Sequence, residues 1–475
     1  MSNRVLRVHD GVTDLHERIA GIQGELEIQA EFPLDVVAAA KQAAGSPRLP
    51  DLDRTDIPFL TIDPRGSRDL DQALHLERAG DGYVVHYAIA DLAAFIEPGG
   101  LLDVEAHRRG ESLYGADASI PLHPRELSEG AASLLPDEVR PAYLWTITLD
   151  AEGAQTEAKV ERARVLSRQQ LDYATAQELV DRGEGGPVLA LLKEVGELRL
   201  RQEAARGGVN LPMPEQVVDC SSDPWRLEFR DLLDVETWNA QISLLTGFAA
   251  ASMMVYGRIG ILRTLPPPAP EAVTRLHRTA RALGIDWPAE QTYADFIRSL
   301  DPRDPRHAAM AVACTTLLRG AGYAAFDGEI PAQPEHAALA SEYAHVTAPL
   351  RRLADRYALE VCAALCAGAE VPAWVREALP ALPDTMQRSG RLANAYENAV
   401  IDLVEAATLR GRVGERFSGV VVSVRREDPR TGEAMVREPA VEAKVAAEEP
   451  LPVGEDVALV LAEANPDTRQ VRFTL

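Results

Sequence analysis

The stretch DPRGSRDLDQALHLE, residues 63 to 77, sets Asp63, Asp69 and Asp71 within nine positions, between one apolar run and the next. Carboxylates gathered in a fold repel one another and are costly to desolvate, so such a cluster implies a compensating proton or cation. On extended chain Asp69 and Asp71 leave the same face, and Asp63, closing the preceding run, can fold back toward them. Oxygen-only ligands of this kind suit Mg2+ or Mn2+, completed by water and a substrate phosphate. The chemistry that follows is metal-assisted attack of water on a phosphodiester. Gln72 stands where a fourth carboxylate would be natural, and its amide oxygen is an uncharged ligand for a hard cation. Two other readings of these residues remain open at this point. One is a solvated turn built on Asp63-Pro64, Gly66 and Ser67. The other is a phosphatase DxD motif with Asp69 as nucleophile and Asp71 as acid, which fits poorly because PRGSR, not an apolar strand, precedes Asp69.

The elements that must position these residues are legible in outline. IPFLTID reads as a strand ending at Asp63, and QALHLER with AGDGYVVHYAIAD reads as a hairpin turning at Asp81-Gly82. YLWTITLD is a further strand. From about residue 168 the pattern is mainly helical, with segments at 187–206, 236–259, 269–284, 305–322, 350–367 and 384–410. DLHERIAGIQGELEI and EFPLDVVAAAKQAAG predict short helices before the first strand, the second with Pro near its start and Gly after its end. The last 65 residues change to β-rich runs separated by turns, as in a small OB-type barrel.

Composition narrows the class. The chain has 475 residues, 46% apolar, 26% charged and 5% aromatic, as in ordinary globular proteins. It contains no run of about 18 apolar residues, and MSNRVLRVHDGVTD lacks a signal-peptide apolar core; the expectation is a cytoplasmic protein that touches no membrane. Cys220, Cys314, Cys362 and Cys366 form no disulfide framework, and VCAALCAG reads as one buried helix face. A net charge of −24 argues against a surface that coats nucleic acid, but a local basic channel within an acidic body remains compatible with it.

Three ordered blocks carry a resemblance. EFP, LTIDPRGSRDLDQAL and HYAIADLAAFI come first, then YGADASIPLHPRELSEGAASLLPDEVRP at 114–141, then EYAHVTAPLRRLADRYALEV at 342–361. In this order and spacing, over roughly residues 31 to 410, the chain resembles the catalytic module of the ribonuclease II and ribonuclease R (RNB) family of exoribonucleases. The resemblance implies an α+β fold in three parts. These are a short helical segment over 1–45, of helix-turn-helix type on one reading, an RNB-type catalytic module over 46–410 with a mixed β-sheet and surrounding helices, and a C-terminal OB-fold RNA-binding barrel over 411–475. It also implies Mg2+-dependent hydrolysis (Mn2+ being the other candidate) of single-stranded RNA from the 3′ end, releasing nucleoside 5′-monophosphates, with a monomer as the expected form.

Residue by residue, Asp63, Asp69 and Asp71 match three of the four aspartates of the family's metal motif, and Gln72 occupies the fourth position. Arg351 matches the arginine set beside the scissile phosphate; Arg352 and Asp355 match its neighbours, and Leu353 replaces an aromatic. Tyr114 and Tyr173 match tyrosines near the terminal nucleotides, where rings stack on any base. In NAQISLLTGFAA, Ser243, Leu244 and Ala250 replace a glutamate pair and an asparagine. Arg425, Arg426 and Arg437 are the phosphate contacts expected of the acidic tail. The alternative function is a catalytically weakened relative retained as an RNA-binding or regulatory protein.

Overall fold

The computed structural model describes residues 12–116, 118–211, 213–219 and 225–475. At its centre the strands Phe59–Asp63, Gln72–Ala79, Gly82–Ala90, Val139–Leu149 and Gln155–Asp172 form a closed barrel in that order. Parallel pairing of the last strand with the first closes it and sets Asp63 opposite Asp172. Successive side chains of Gly82–Ala90 enter different clusters: Val85, Tyr87 and Ile89 join one, Ala88 and Ala90 another. Burial on both faces explains why this strand reads as a nearly continuous apolar run.

The expected hairpin is present, with its turn one residue earlier than the sequence suggested. Ala79 pairs with Gly82, so Gly80 and Asp81 make the turn, and Gly80 takes the positive φ of 60°. Gly82 serves a different need, because a Cβ there would collide with the Leu149 carbonyl of the neighbouring strand.

The helices Gly186–Arg206, Asp234–Gly257, Pro270–Ala282, Leu353–Cys366 and Leu382–Leu409 lie where the periodicity puts them. The segment expected at 305–322 is shorter: a helix over Pro305–Cys314 and a 3-10 turn over Thr315–Leu318 give way to a strand, Gly322–Asp327, paired antiparallel with Ile259–Thr264. A hairpin of Glu215–Asp219 with Arg226–Arg230 was also not foreseen. Cys362 and Cys314 are buried, but Cys366, one turn beyond Cys362, is exposed at the helix end; Cys220 lies outside the described residues.

Helices Val12–Glu25 and Leu34–Ala44 precede the barrel, and residues 1–11 lie outside the described residues. Ile19 and Ile22 share one core with Tyr396, Val400 and Leu403 of the 382–409 helix and with Phe417 and Phe473 of the C-terminal barrel. That barrel is closed by strands Arg416–Val424, Thr431–Val436, Val441–Ala446, Gln470–Thr474 and Asp456–Asn465, in that spatial order. The order is that of a five-stranded OB fold.

Where the 382–409 helix meets this barrel, Glu405 is 3% exposed. Its Oε1 accepts from Gln216 Nε2 at 2.7 Å and from the Glu442 amide at 3.0 Å. Burial pushes its carboxyl up to about 7, with Asp402 and Glu442 adding to the effect. A carboxyl raised on folding stabilises the protein fully below its unfolded value, and this contribution is lost as pH rises through the folded one. Glu405→Gln keeps the accepting oxygen and removes the titration. Wild type is therefore expected to lose up to roughly 3 kcal/mol between pH 4.5 and 8, at about 1.4 kcal/mol per pKa unit, relative to the variant. Urea unfolding of both proteins across that range checks this; parallel stability curves would show that Glu405 is not the titrating group.

Candidate active site

Asp63 ends the first barrel strand, and Gly66, at φ 85°, lets the chain reverse before Asp69 and Asp71. The segment leading to Asp71 is held from the second sequence block. Ser133 Oγ donates to the Arg68 carbonyl at 2.5 Å and accepts from the Leu70 amide at 2.9 Å, and the Leu134 amide bonds the Leu70 carbonyl at 3.0 Å. The third block is tied in alongside: the Ser112 amide donates to the Arg351 carbonyl at 2.9 Å, and the Leu353 amide to the Gly110 carbonyl at 2.9 Å. His123, fully buried and pushed down to about 3 by that burial, bonds the Pro349 carbonyl as a neutral imidazole. Three stretches, the second 63 to 65 residues beyond the first in these contacts and the third 279 residues beyond it, thus converge on one place.

The carboxylates there have unequal environments. Asp71 is 2% exposed and both its oxygens are engaged: Oδ1 accepts from the Leu350 amide at 2.7 Å, and Oδ2 from Arg351 Nε at 2.7 Å. Burial pushes it up to about 6 against the pull of Arg351. Asp63 has no such partners. Its Oδ2 is buried without a hydrogen bond, and burial, reinforced by the negative charges of Asp71 and Asp69, raises it to about 7. Asp69 is half-buried. Gln72 opens the second strand, and its amide oxygen accepts a short hydrogen bond from Tyr87 and faces Ser243 Oγ at 3.2 Å.

Among the described residues no group of three or more His, Cys, Asp and Glu side chains is arranged to hold a metal. The reason is visible in these contacts. Of the four residues expected as ligands, Asp71 accepts from Arg351 and the Leu350 amide and Gln72 from Tyr87, which sets Asp63 and Asp69 apart as the two without such bonds. Two carboxylates fit Mg2+, which binds through one or two carboxylates and keeps several waters. The orphaned Asp63 oxygen needs a proton or a cation.

Arg351 keeps its side chain 37% exposed while its Nε is fixed on Asp71. Burial works against its charge, but Asp71 outweighs it and holds the guanidinium above its ordinary range. Arg352 spends its fork on Asp355, Nε to Oδ2 at 2.9 Å and Nη2 to Oδ1 at 2.8 Å, and Asp355 also accepts from the Ala348 amide at 2.7 Å. That pair fixes the TAPLRR loop at the start of its helix. Tyr114 is 45% exposed, with its hydroxyl bonded to Arg351. Tyr173 begins the helix Tyr173–Asp181, one residue after the partner of Asp63, and bonds Asn239. Asn239 in turn donates to the Ile62 carbonyl at 3.4 Å. Of the predicted residues, Asp63, Asp69, Asp71, Arg351 and Tyr114 are grouped together, Tyr173 borders them near Asp63, and Arg352 faces Asp355. Arg425, Arg426 and Arg437 are exposed on the C-terminal barrel. Ser133, His123, Tyr87 and Asn239 escaped sequence reasoning, since a lone Ser, His or Tyr in an apolar block gives no sign of its long-range partner.

Carboxylates that call for a cation, beside a guanidinium that calls for an anion, are the apparatus of a protein that handles phosphodiesters. The chain belongs to the RNB family. The RNB domain matches residues 52–366, and the RNase II-type exonuclease C-terminal S1 domain matches residues 415–475. The chain is 28% identical to ribonuclease R of Escherichia coli over 324 residues, which cover 64% of this chain and 39% of that protein. It thus spans about two fifths of this relative's length. Its fold is similar to that of Mycoplasma genitalium RNase R, in a structure with ribose-methylated single-stranded RNA, at a TM-score of 0.86 and 19% identity, covering 97% of this chain and 78% of that one. It is also similar to yeast Ssd1, described as a pseudonuclease, at a TM-score of 0.72 and 16% identity over 92% of this chain and 56% of that one.

Proposed function

We propose that the chain is a 3′-to-5′ exoribonuclease that hydrolyses single-stranded RNA to nucleoside 5′-monophosphates with Mg2+. The observation that carries the reading is the buried, partnerless oxygen of Asp63 beside Asp69, close to the exposed edge of Arg351. Asp63 and Asp69 would hold the cation, which supplies Lewis-acid polarisation of the phosphate and a deprotonated water. Asp71 orients Arg351, whose Nη edge can bind two phosphate oxygens and stabilise the charge that develops on them. Tyr114 and Tyr173 offer rings to the terminal bases without reading their identity.

Incubation of the protein and Mg2+ with 3′-labelled and 5′-labelled oligoribonucleotides tests this. Immediate monophosphate release from the 3′ label, with the 5′ label shortening stepwise, is expected. Binding without cleavage would favour the second reading, a weakened relative that holds RNA; the commitment of Gln72 to Tyr87 and the likeness to the Ssd1 fold are what speak for it.

Tyr114 gives a finer test. Tyr114→Ala is expected to weaken retention of short RNA by roughly 1–3 kcal/mol, the usual value of one stacked base, so that degradation stops at longer fragments. Tyr114→Phe, which loses only the hydroxyl bonded to Arg351, should keep the wild-type end product. Identical limit products from Tyr114→Ala and wild type would remove the ring from RNA binding.

A further inference from the structure

We infer that Tyr87 and Ser243 hold Gln72 as a neutral link between the central barrel and the 234–257 helix, so that the centre takes a single divalent cation, on Asp63 and Asp69. The inference rests on reading the site as metal-dependent, but not on the direction or the substrate of cleavage.

Strand register creates the link. Leu74 pairs with Tyr87, and Gln72 lies two residues before Leu74, so Gln72 and Tyr87 are diagonal neighbours on one face of the barrel. Ser243 reaches the same point from the helix that crosses this face, 2.8 Å from the Tyr87 hydroxyl and 3.2 Å from the Gln72 oxygen. Tyr87 is 1% exposed, and a buried phenol must spend its proton on a partner. It spends it on Gln72. Turning the amide oxygen toward a cation would break this bond and the contact with Ser243 Oγ, leaving Tyr87 and Ser243 only each other, at 2.8 Å.

The remaining donors limit the number of cations. Asp71 has a donor at 2.7 Å on each oxygen, and releasing Arg351 would leave a guanidinium without its anion. Asp63 and Asp69 together carry two negative charges, enough to neutralise one divalent ion. A second would need a further carboxylate, and the other acids nearby have partners of their own: Asp355 is held by Arg352, Glu236 by Arg230 and the Leu233 amide, and Asp172, opposite Asp63, caps its helix by accepting from the Thr175 amide.

The test is to count Mn2+ bound to the full chain, with Mn2+ alone as the probe and the free ion read by its electron paramagnetic resonance signal. One Asp63-dependent Mn2+ per chain is expected. Asp63→Asn should weaken it at least about tenfold, by loss of a charged ligand. Gln72→Met keeps the side-chain volume without the oxygen, and its Mn2+ affinity should stay within about twofold of wild type. The wild-type count decides the matter even if a variant fails to fold. Two such ions per chain, none, or a Gln72→Met loss equal to that of Asp63→Asn would overturn the inference. A chain that binds one Mn2+ at Asp63 yet leaves RNA intact would sink the exoribonuclease reading and leave this one standing; RNA cleavage with two bound ions would do the reverse.

Discussion

Asp71→Asn is expected to lower turnover on single-stranded RNA at least about a hundredfold, near 2.7 kcal/mol of barrier, while RNA binding and the Mn2+ count stay close to wild type. Asp71 offers one oxygen to the Leu350 amide and the other to Arg351 Nε. Asparagine can offer only one oxygen, so its NH2 must face one of the two donors. The loop or the guanidinium then loses its anchor, and a buried cation loses the charge that compensates it. Because Asp71 is not assigned to the metal, the loss should appear in turnover at saturating Mg2+ and should not be rescued by more. Wild-type turnover in this variant would show that the cluster is not the reactive centre. Rescue by excess Mg2+ would return Asp71 to the ligand set.

Arg351→Lys should lower kcat about a hundredfold with little change in KM. Arginine does two things here with different atoms: Nε is fixed on Asp71 while the Nη edge, part of a side chain 37% exposed, stays available to substrate. A lysine ammonium is one point of charge and cannot both pair with Asp71 and present a planar fork to a phosphate. An interaction that strengthens only as charge develops is lost from kcat rather than from binding. A higher KM with unchanged kcat would assign Arg351 to ground-state grip. The double variant should lose much less than the product of the two single losses, because both act through the same contact.

The main elements were legible because each is dictated by a local pattern. The 82–90 strand is buried on both sides and rich in β-branched and aromatic residues, and the 382–409 helix keeps an apolar stripe for its neighbours. The hairpin turn was displaced by one residue because Asp81-Gly82 is a good turn pair in isolation, while the Leu149 backbone claims Gly82 for close approach. The strands Ile259–Thr264 and Gly322–Asp327 were hidden for another reason: their pairing partners lie about 60 residues apart, beyond any window of periodicity.

The sequence by itself determined the kind of chemistry available, three aspartates followed by a glutamine in one short stretch and an arginine pair in TAPLRR, since side-chain type and spacing are local properties. Only the tertiary structure decided what each does. It gave Asp71 to Arg351, 280 residues away, Gln72 to Tyr87 and to Ser243, 171 residues away, and the loop between the carboxylates to Ser133. A buried polar atom must find a partner, and the fold alone sets which partner is within reach. That is why Asp63, identical to Asp71 in chemistry, is left with an oxygen still in need of a charge.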